Sequence, residues 1–433
     1  MNSLWEESTL IKRYNCLEGN INTDVLIIGG GMAGILCAYM LKRAGIECVL
    51  VEANRLCGGI TKNTTAKVTS QHGLIYDKLI RRFDVQTAQL YLRANEEALQ
   101  QYRRLCKNID CHFEEMDNYV YSLNDDGKIE REFLALNSLG APSRKADDLP
   151  LPFPVAGALI IPHQAQFNTL QFISVIAREL RIFEQTTVRE LIGTTAITDQ
   201  GRINANRIIV ATHFPFLNKH GAYFLKMFQH RSYLIALSGA RLPKGMYVDE
   251  SDSGLSFRTY GDLLLLGGGG SQTGKKCGGW QELREFAARH YPNAAEKYHW
   301  AAQDCMTLDG VPYIGRYSRG TENLYVAAGF NKWGMTSSMA AACLLSDMIQ
   351  GKNNPYGELF EPSRSILHPQ LAVNGLNAVV NLLTPASRRC PHMGCALKWN
   401  SEENSWDCPC HGSRFTKNGK LIDNPATGDL KTR

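Results

Sequence analysis

The sequence predicts an α/β protein with a small, separate C-terminal unit, and three observations carry that expectation. A buried strand, a glycine loop, an apolar helix and a second strand follow one another over residues 24–52. Strand-like and helix-like segments then mix up to about residue 350. Beyond it, prolines and polar residues accumulate, and the character changes to glycine turns, aromatics and cysteines. At 433 residues the chain exceeds one simple core, so two or three domains are expected.

Taken in order, DVLIIG (24–29) reads as a short buried strand, AGILCAYMLKRAG as the apolar helix, and CVLVE (48–52) as the second strand. Continuous apolar strands with a helix between them predict a parallel sheet covered on both faces. Residues 86–107 carry helical spacing at Leu90, Ala94, Ala98 and Leu99, and residues 171–181 form another helix. RIIVAT (207–212) is a further buried strand. Residues 233–240, 254–260 and 262–269 read as neighbouring antiparallel strands, and 324–349 returns to strand, glycine turn and long apolar helix. GKNNPYGELFEPSRS (351–365) is the expected major boundary.

Composition narrows the function classes. The net charge of +5 is small for this length and shows no basic block, which does not suggest nucleic-acid binding. No run approaches the roughly 18–20 apolar residues of a membrane span. The polar N-terminus, MNSLWEESTLIKRYNC, does not read as a signal peptide, so a cytoplasmic protein is expected. Nine of the 13 cysteines are scattered over the first 343 residues and read as reduced, buried thiols. The other four cluster near the end.

GGGMAG fits G-x-G-x-x-G through Gly29, Gly31 and Gly34, with a strand before, a helix after, and Glu52 ending the next strand 18 residues past Gly34. That context makes it a dinucleotide site: the helix N-terminus favours phosphate charge, and Glu52 accepts from a ribose. The motif itself does not separate FAD from a nicotinamide. A second glycine- and threonine-rich loop after Glu52, and GFNKWGMT (329–336) opening another helix, suggest a long cofactor touched at several points, as FAD is. GGSQTGKK (269–276) mimics a phosphate loop, but Lys276 stands where a Ser or Thr would ligate magnesium, so it reads as a strand-end turn.

DVLIIGGGMAG…VLVEANR, ANRIIVATHFP (205–215), LDGVPYIG (308–315) and LYVAAGFNKWGMT (324–336) together resemble the D-amino-acid-oxidase-like FAD-dependent oxidoreductases of the glycine and sarcosine oxidase type. The resemblance spans about residues 20–352. It implies a Rossmann-like FAD-binding domain (about 20–85, 160–215 and 300–352) with an inserted mixed-sheet substrate domain (about 86–159 and 216–299). The implied FAD contacts are Gly29, Gly31, Met32, Ala33 and Gly34, then Glu52, Ala53 and Arg55. The loop Gly59, Thr61, Thr64, Thr65 and Ala66 follows, with Val188 at the adenine, Ala211 and Thr212, and finally Gly329, Gly334, Met335 and Thr336. In such enzymes hydride passes from a carbon beside an amine nitrogen to the flavin, so no acid/base dyad is required. Arg231, Tyr233, Arg258, Tyr260 and Tyr313 are candidate pocket residues, an arginine suiting a substrate carboxylate. Some relatives attach FAD to a histidine near the position of His72, which is expected here to lie beside the flavin without a covalent bond.

Within residues 390–411, Cys390 and His392 form C-x-H, and Cys408 and His411 form C-x-x-H. Two Cys and two His suit tetrahedral zinc or a [2Fe–2S] centre with mixed ligands. CPHMGC and CPCHGS closely resemble the two ligand loops of Rieske proteins, and that resemblance implies cluster ligands Cys390, His392, Cys408 and His411. It also implies a Cys395–Cys410 disulfide and a Ser413 hydroxyl donated to the cluster. Phe415 stands where high-potential members carry Tyr, so an intermediate potential is expected. Only about 70 residues follow Glu361, and 365–389 shows little strand alternation. A small all-β Rieske domain (361–433), leaning on the flavin domain (1–360), is expected. The expected function is oxidation of an amine or amino acid at its C–N bond, with electrons passed singly through the cluster to a carrier protein or other acceptor. A reductase fed through the cluster, or an electron-transfer protein without turnover, are the alternatives.

Overall fold

The computed structural model describes residues 3–146, 148–217, 220–241, 243–251 and 254–431. Its first sheet has eight strands. Leu324–Ala328, Arg202–Val210, Ile21–Ile28, Cys48–Val51 and Ile182–Phe183 run parallel in that spatial order. Tyr313–Arg316 closes one edge antiparallel, and the hairpin Val188–Ile192/Thr195–Thr198 joins Arg202–Val210. Helix Met32–Arg43 packs against helix Gly334–Ile349 on one face, where the small residues Ala33, Gly34, Ala38, Ala341 and Ala342 allow close approach. Lys42 and Arg43 in its last turn complement the helix dipole.

The second sheet is mixed and has nine strands. Ala295–Thr307, Met227–Ser238, Leu263–Gln272 and Ser256–Tyr260 are antiparallel neighbours, as the apolar runs predict, and Met246–Asp249 pairs parallel with Glu114–Ser122. The sheet crosses the borders expected from sequence. It takes in Lys67–Val68, Gly157–Gln166 and all of Ala295–Thr307, because one long antiparallel ladder holds Ala295–Thr307 to Met227–Ser238 from end to end.

The helix expected over 171–181 begins two residues earlier, at Thr169. The Asn168 side chain caps it by accepting from Leu170 N (3.1 Å) and Gln171 N (3.2 Å), and it ends at Ile176 in a 3₁₀ turn. GGSQTGKK is a strand-end turn, as expected, with Gly274 pressed against Pro409.

The C-terminal unit is an antiparallel meander of four three-residue strands, Lys398–Asn400, Ser405–Asp407, Arg414–Thr416 and Leu421–Asp423. Its own core is seven buried residues, including Cys390, Cys408, Leu397 and Phe415. At its centre Arg414, almost fully buried, pairs with Asp407 (3.0 Å), Asp423 (3.1 Å) and Glu403 (2.9 Å). Helix Pro369–Leu383, for which no element had been expected, precedes it. Proline opens this helix, the His368 imidazole accepts from Gln370 N (3.1 Å), and Leu376, Val379 and Leu383 stay exposed. Among the described residues, no helix is long and apolar enough to cross a membrane.

Candidate functional site

A cavity of about 370 Å³ lies where the two large sheets meet. Three of the expected nucleotide segments converge on it: Gly31, Met32 and Ala33 from the glycine loop, Thr61, Thr64 and Thr65 from the second loop, and Gly334 and Met335 from the second helix N-terminus. Ala211 also lines it. The glycines are required by close backbone approach. A Cβ on Gly34 would stand 1.9 Å from Gly29 O, and one on Gly29, which holds φ of 114°, 2.5 Å from Ala211 O. Gly31 heads the helix without a side-chain cap of its own, and the Thr61 hydroxyl from the second loop accepts from Met32 N (3.0 Å).

Glu52 accepts from Gly30 N (2.7 Å) and Asn54 N (2.9 Å), which aims the carboxylate, and each oxygen keeps a lone pair for a ribose hydroxyl. Ala53, Gly59, Val188 and Gly329 shape the surrounding backbone without forming the cavity wall. Arg55 and Leu56 N tie that loop to Glu184 (2.7 Å each). Ala66 is fully buried, and Thr212 bonds to Phe214 O (2.9 Å). Thr336 is not on the wall either; its hydroxyl bonds His72 Nε2 (2.9 Å), and His72 Nδ1 meets Tyr91 Oη (2.6 Å). Both His72 ring nitrogens are thus hydrogen-bonded, and the ring stacks on Trp333. Burial pushes its pKa down to about 3.

Of the five pocket candidates, Tyr233 lines the cavity and four do not. Arg231 points away, forming a bidentate pair with Glu403 of the C-terminal unit (Nε to Oε1, 2.7 Å). Arg258 is buried and braces the cofactor loop, donating to Thr65 O (2.5 Å) and Ala66 O (3.2 Å). Tyr260 packs edge-on against Trp5 and bonds Asn168 (2.9 Å), and Tyr313 lies under the Arg364 guanidinium. Neither charged candidate is therefore free for a substrate carboxylate. The wall instead carries groups that the sequence reading missed: Lys67, pushed down to about 7 by burial, Asp304, pushed up to about 6 by burial, and His213.

The second site lies on the far face of the same strands. Cys390 and Cys408 are buried with their thiols in contact, and the His392 and His411 rings stand edge to face with centroids 4.9 Å apart. Burial pushes both imidazoles down to about 4, which keeps them in the neutral, ligating form. Among the described residues His411 Nδ1 is buried without a hydrogen-bond partner, while the ring's other nitrogen faces the Phe224 carbonyl. An orphaned imidazole nitrogen held in this way fits a metal bond. Cys395 and Cys410, for which the resemblance implies a disulfide, lie side by side, their sulfurs with that of Cys408 within 4.8 Å. Ser413 faces the Cys390 sulfur, and Phe415 is fully buried.

Two buried glutamines staple these loops to the large domain. Gln229 Nε2 donates to His411 O (2.7 Å) and Asn424 O (3.1 Å), and Gln303 Nε2 to Gly412 O (2.9 Å) and Gln229 Oε1 (2.5 Å). Strand alternation explains the shared wall, since Gln303 faces the cluster loops while its neighbours Ala302 and Asp304 line the cavity.

A nucleotide cavity and a Cys₂His₂ site back to back define a flavoprotein with an iron–sulfur domain. The comparisons agree. The model of the FAD dependent oxidoreductase family (DAO) matches residues 24–348, and that of the Rieske [2Fe-2S] domain matches residues 380–433. The chain belongs to the FAD dependent oxidoreductase family and carries a C-terminal Rieske domain. It is 34% identical to a Bacillus subtilis protein named as a Rieske 2Fe-2S iron-sulfur protein, YhfW, over 99% of this chain and 96% of that one. The cytochrome b6-f complex iron-sulfur subunit of a Synechococcus strain is 46% identical over 57 residues, 13% of this chain and 27% of that one. The fold matches glycine oxidase from Geobacillus kaustophilus (TM-score 0.67, 18% identity, 79% of this chain, 99% of that one). It also matches L-proline dehydrogenase from P. horikoshii (TM-score 0.67, 17% identity, 80% of this chain, 98% of that one).

Proposed function

We propose that the protein oxidises an amine or amino acid at a C–N bond and passes the electrons singly through the Rieske cluster to a carrier protein or other acceptor. The observation that carries this reading is the single sheet wall, with a cavity for flavin and substrate on one side and the cluster ligands docked on the other. FAD supplies hydride acceptance, and the [2Fe–2S] cluster supplies one-electron transfer. Gly31, Met32, Ala33 and Glu52 hold the nucleotide half of FAD; Thr61, Thr64, Thr65, Gly334 and Met335 hold the flavin half.

Hydride leaves a carbon beside a neutral amine, so a cationic substrate first loses a proton. Lys67 and Asp304, poised near neutrality on the cavity wall, are placed to take it. Cys390, His392, Cys408 and His411 hold the cluster.

The test is anaerobic addition of candidate amines, following flavin bleaching and then the reduced cluster's EPR signal. Bleaching followed by the signal supports the reading. Reduction only from a ferredoxin-like donor at the cluster, with turnover of an acceptor substrate, would replace it by a reductase. No turnover in either direction leaves an electron-transfer protein.

A further inference from the structure

The two cofactor sites share one short piece of backbone. After strand Arg202–Val210 the chain turns through Ala211, Thr212, His213 and Phe214. Ala211 and His213 lie on the cavity wall. Phe214, fully buried, meets both cluster histidines edge-on, with centroids 6.4 Å from His392 and 6.4 Å from His411.

His213 holds a left-handed φ of 67°, which a residue with a Cβ keeps only where its surroundings impose it. That twist lets two adjacent side chains serve two different sites. His213 Nε2 is buried and bonded to nothing among the described residues. The C-terminal unit clamps the turn: Asn424 Nδ2 donates to Thr212 O (2.5 Å) and Phe214 O (3.1 Å), and Gln229, which holds His411 O, also faces the His213 ring. Phe224 boxes His411 from a second direction, its centroid 6.2 Å away.

We propose that the Ala211–Phe214 turn is the electron bridge of this protein, joining the flavin cavity to the His411 side of the cluster across an interface that stays docked. Phe214 acts as a positioning residue, fixing the imidazoles against the bridge. The direction of flow rests on the proposed function; the route does not. Oxidation of one amine to an imine releases two electrons and two protons. Each electron crosses the turn separately, takes one ferric iron of the cluster to ferrous, and leaves to a one-electron carrier protein before the next crosses. Both protons pass to solvent.

The test is laser-flash photoreduction of the holoenzyme, in which a photogenerated radical delivers one electron and its redistribution between flavin and cluster is followed at two wavelengths. The wild-type relaxation is expected to be independent of protein concentration. Phe214→Ala and Gln229→Leu are expected to slow it severalfold with FAD and iron contents unchanged, since each removes a contact that fixes the cluster histidines against the turn. Phe214→Leu, which keeps the bulk and loses the ring, is expected to fold and to shift the reduced cluster's EPR g-values, because the ring packs on both imidazoles. A wild-type rate that scales with protein concentration overturns the bridge, as does an unchanged rate and spectrum in all three variants. No amine is needed, so a protein that oxidises none would refute the proposed function and leave this measurement standing.

Discussion

Removing the Glu403 charge tests how the small domain is held. Glu403 and Arg231 are about nine-tenths buried and form a bidentate pair across the interface, and Arg414 reaches Glu403 from within the small domain. Burial raises the Glu403 carboxyl, but Arg231 and Arg414 outweigh it and hold it below the ordinary carboxylate value. In Glu403→Gln, Arg414 still has Asp407 and Asp423, whereas Arg231 loses its acidic partner. Stranding one buried charge costs about 3–5 kcal/mol. Arg231→Met leaves Glu403 paired with Arg414, so the loss should be smaller, about 1.5–3 kcal/mol for a lost charged hydrogen bond. The assay is urea unfolding followed at the cluster's visible bands and, separately, at flavin fluorescence. The cluster transition should fall more in Glu403→Gln than in Arg231→Met. Because the folded carboxyl is depressed, its contribution is complete above the unfolded carboxylate pKa and disappears as pH falls through the lower folded value. An equal loss in the two variants, or a contribution that vanishes only on raising the pH, would refute the asymmetry.

Further outcomes are expected at both sites. Gly34→Ala should abolish flavin binding, read as FAD-to-protein stoichiometry, because its Cβ would stand 1.9 Å from Gly29 O. Cys408→Ser should lose the cluster's EPR signal and retain FAD, and Phe415→Tyr should raise the cluster potential in a redox titration, by adding a hydroxyl near the sulfurs. With an active amine, kcat/KM should rise with pH as Asp304 (about 6) and Lys67 (about 7) lose their protons, and Asp304→Asn should remove the lower limb of the profile.

The sequence made local chemistry legible and long-range pairing much less so. The glycine loop and Glu52 could be named because spacing of a few residues carries their chemistry, whereas two Cys and two His suit zinc as well, so the four candidate cluster ligands needed the Rieske resemblance. Arg231 and Arg258 were placed beside substrate because an arginine in a strand announces its charge but not its face. Alternation turns neighbouring residues to opposite sides, and the partner that settles the matter, Glu403, lies 172 residues away. Gln229, Gln303 and His213 gave no signal, since a neutral amide or a lone histidine acquires a role only from what folds against it. Helix Pro369–Leu383 did carry a readable start, Pro369 after a capping residue, but its apolar positions face outward and its asparagines blur the period.

The stapled interface also bears on biogenesis. His411 is 5% exposed, roofed by Phe214 and Phe224, and its carbonyl is held by Gln229. A scaffold protein delivering iron and sulfide cannot reach that imidazole once the small domain has docked. Cluster insertion is therefore expected to precede closure of the small domain against the flavin domain. Chains that close too early would accumulate as flavin-loaded, iron-free protein, a population that iron limitation should enlarge and later iron supply should not rescue.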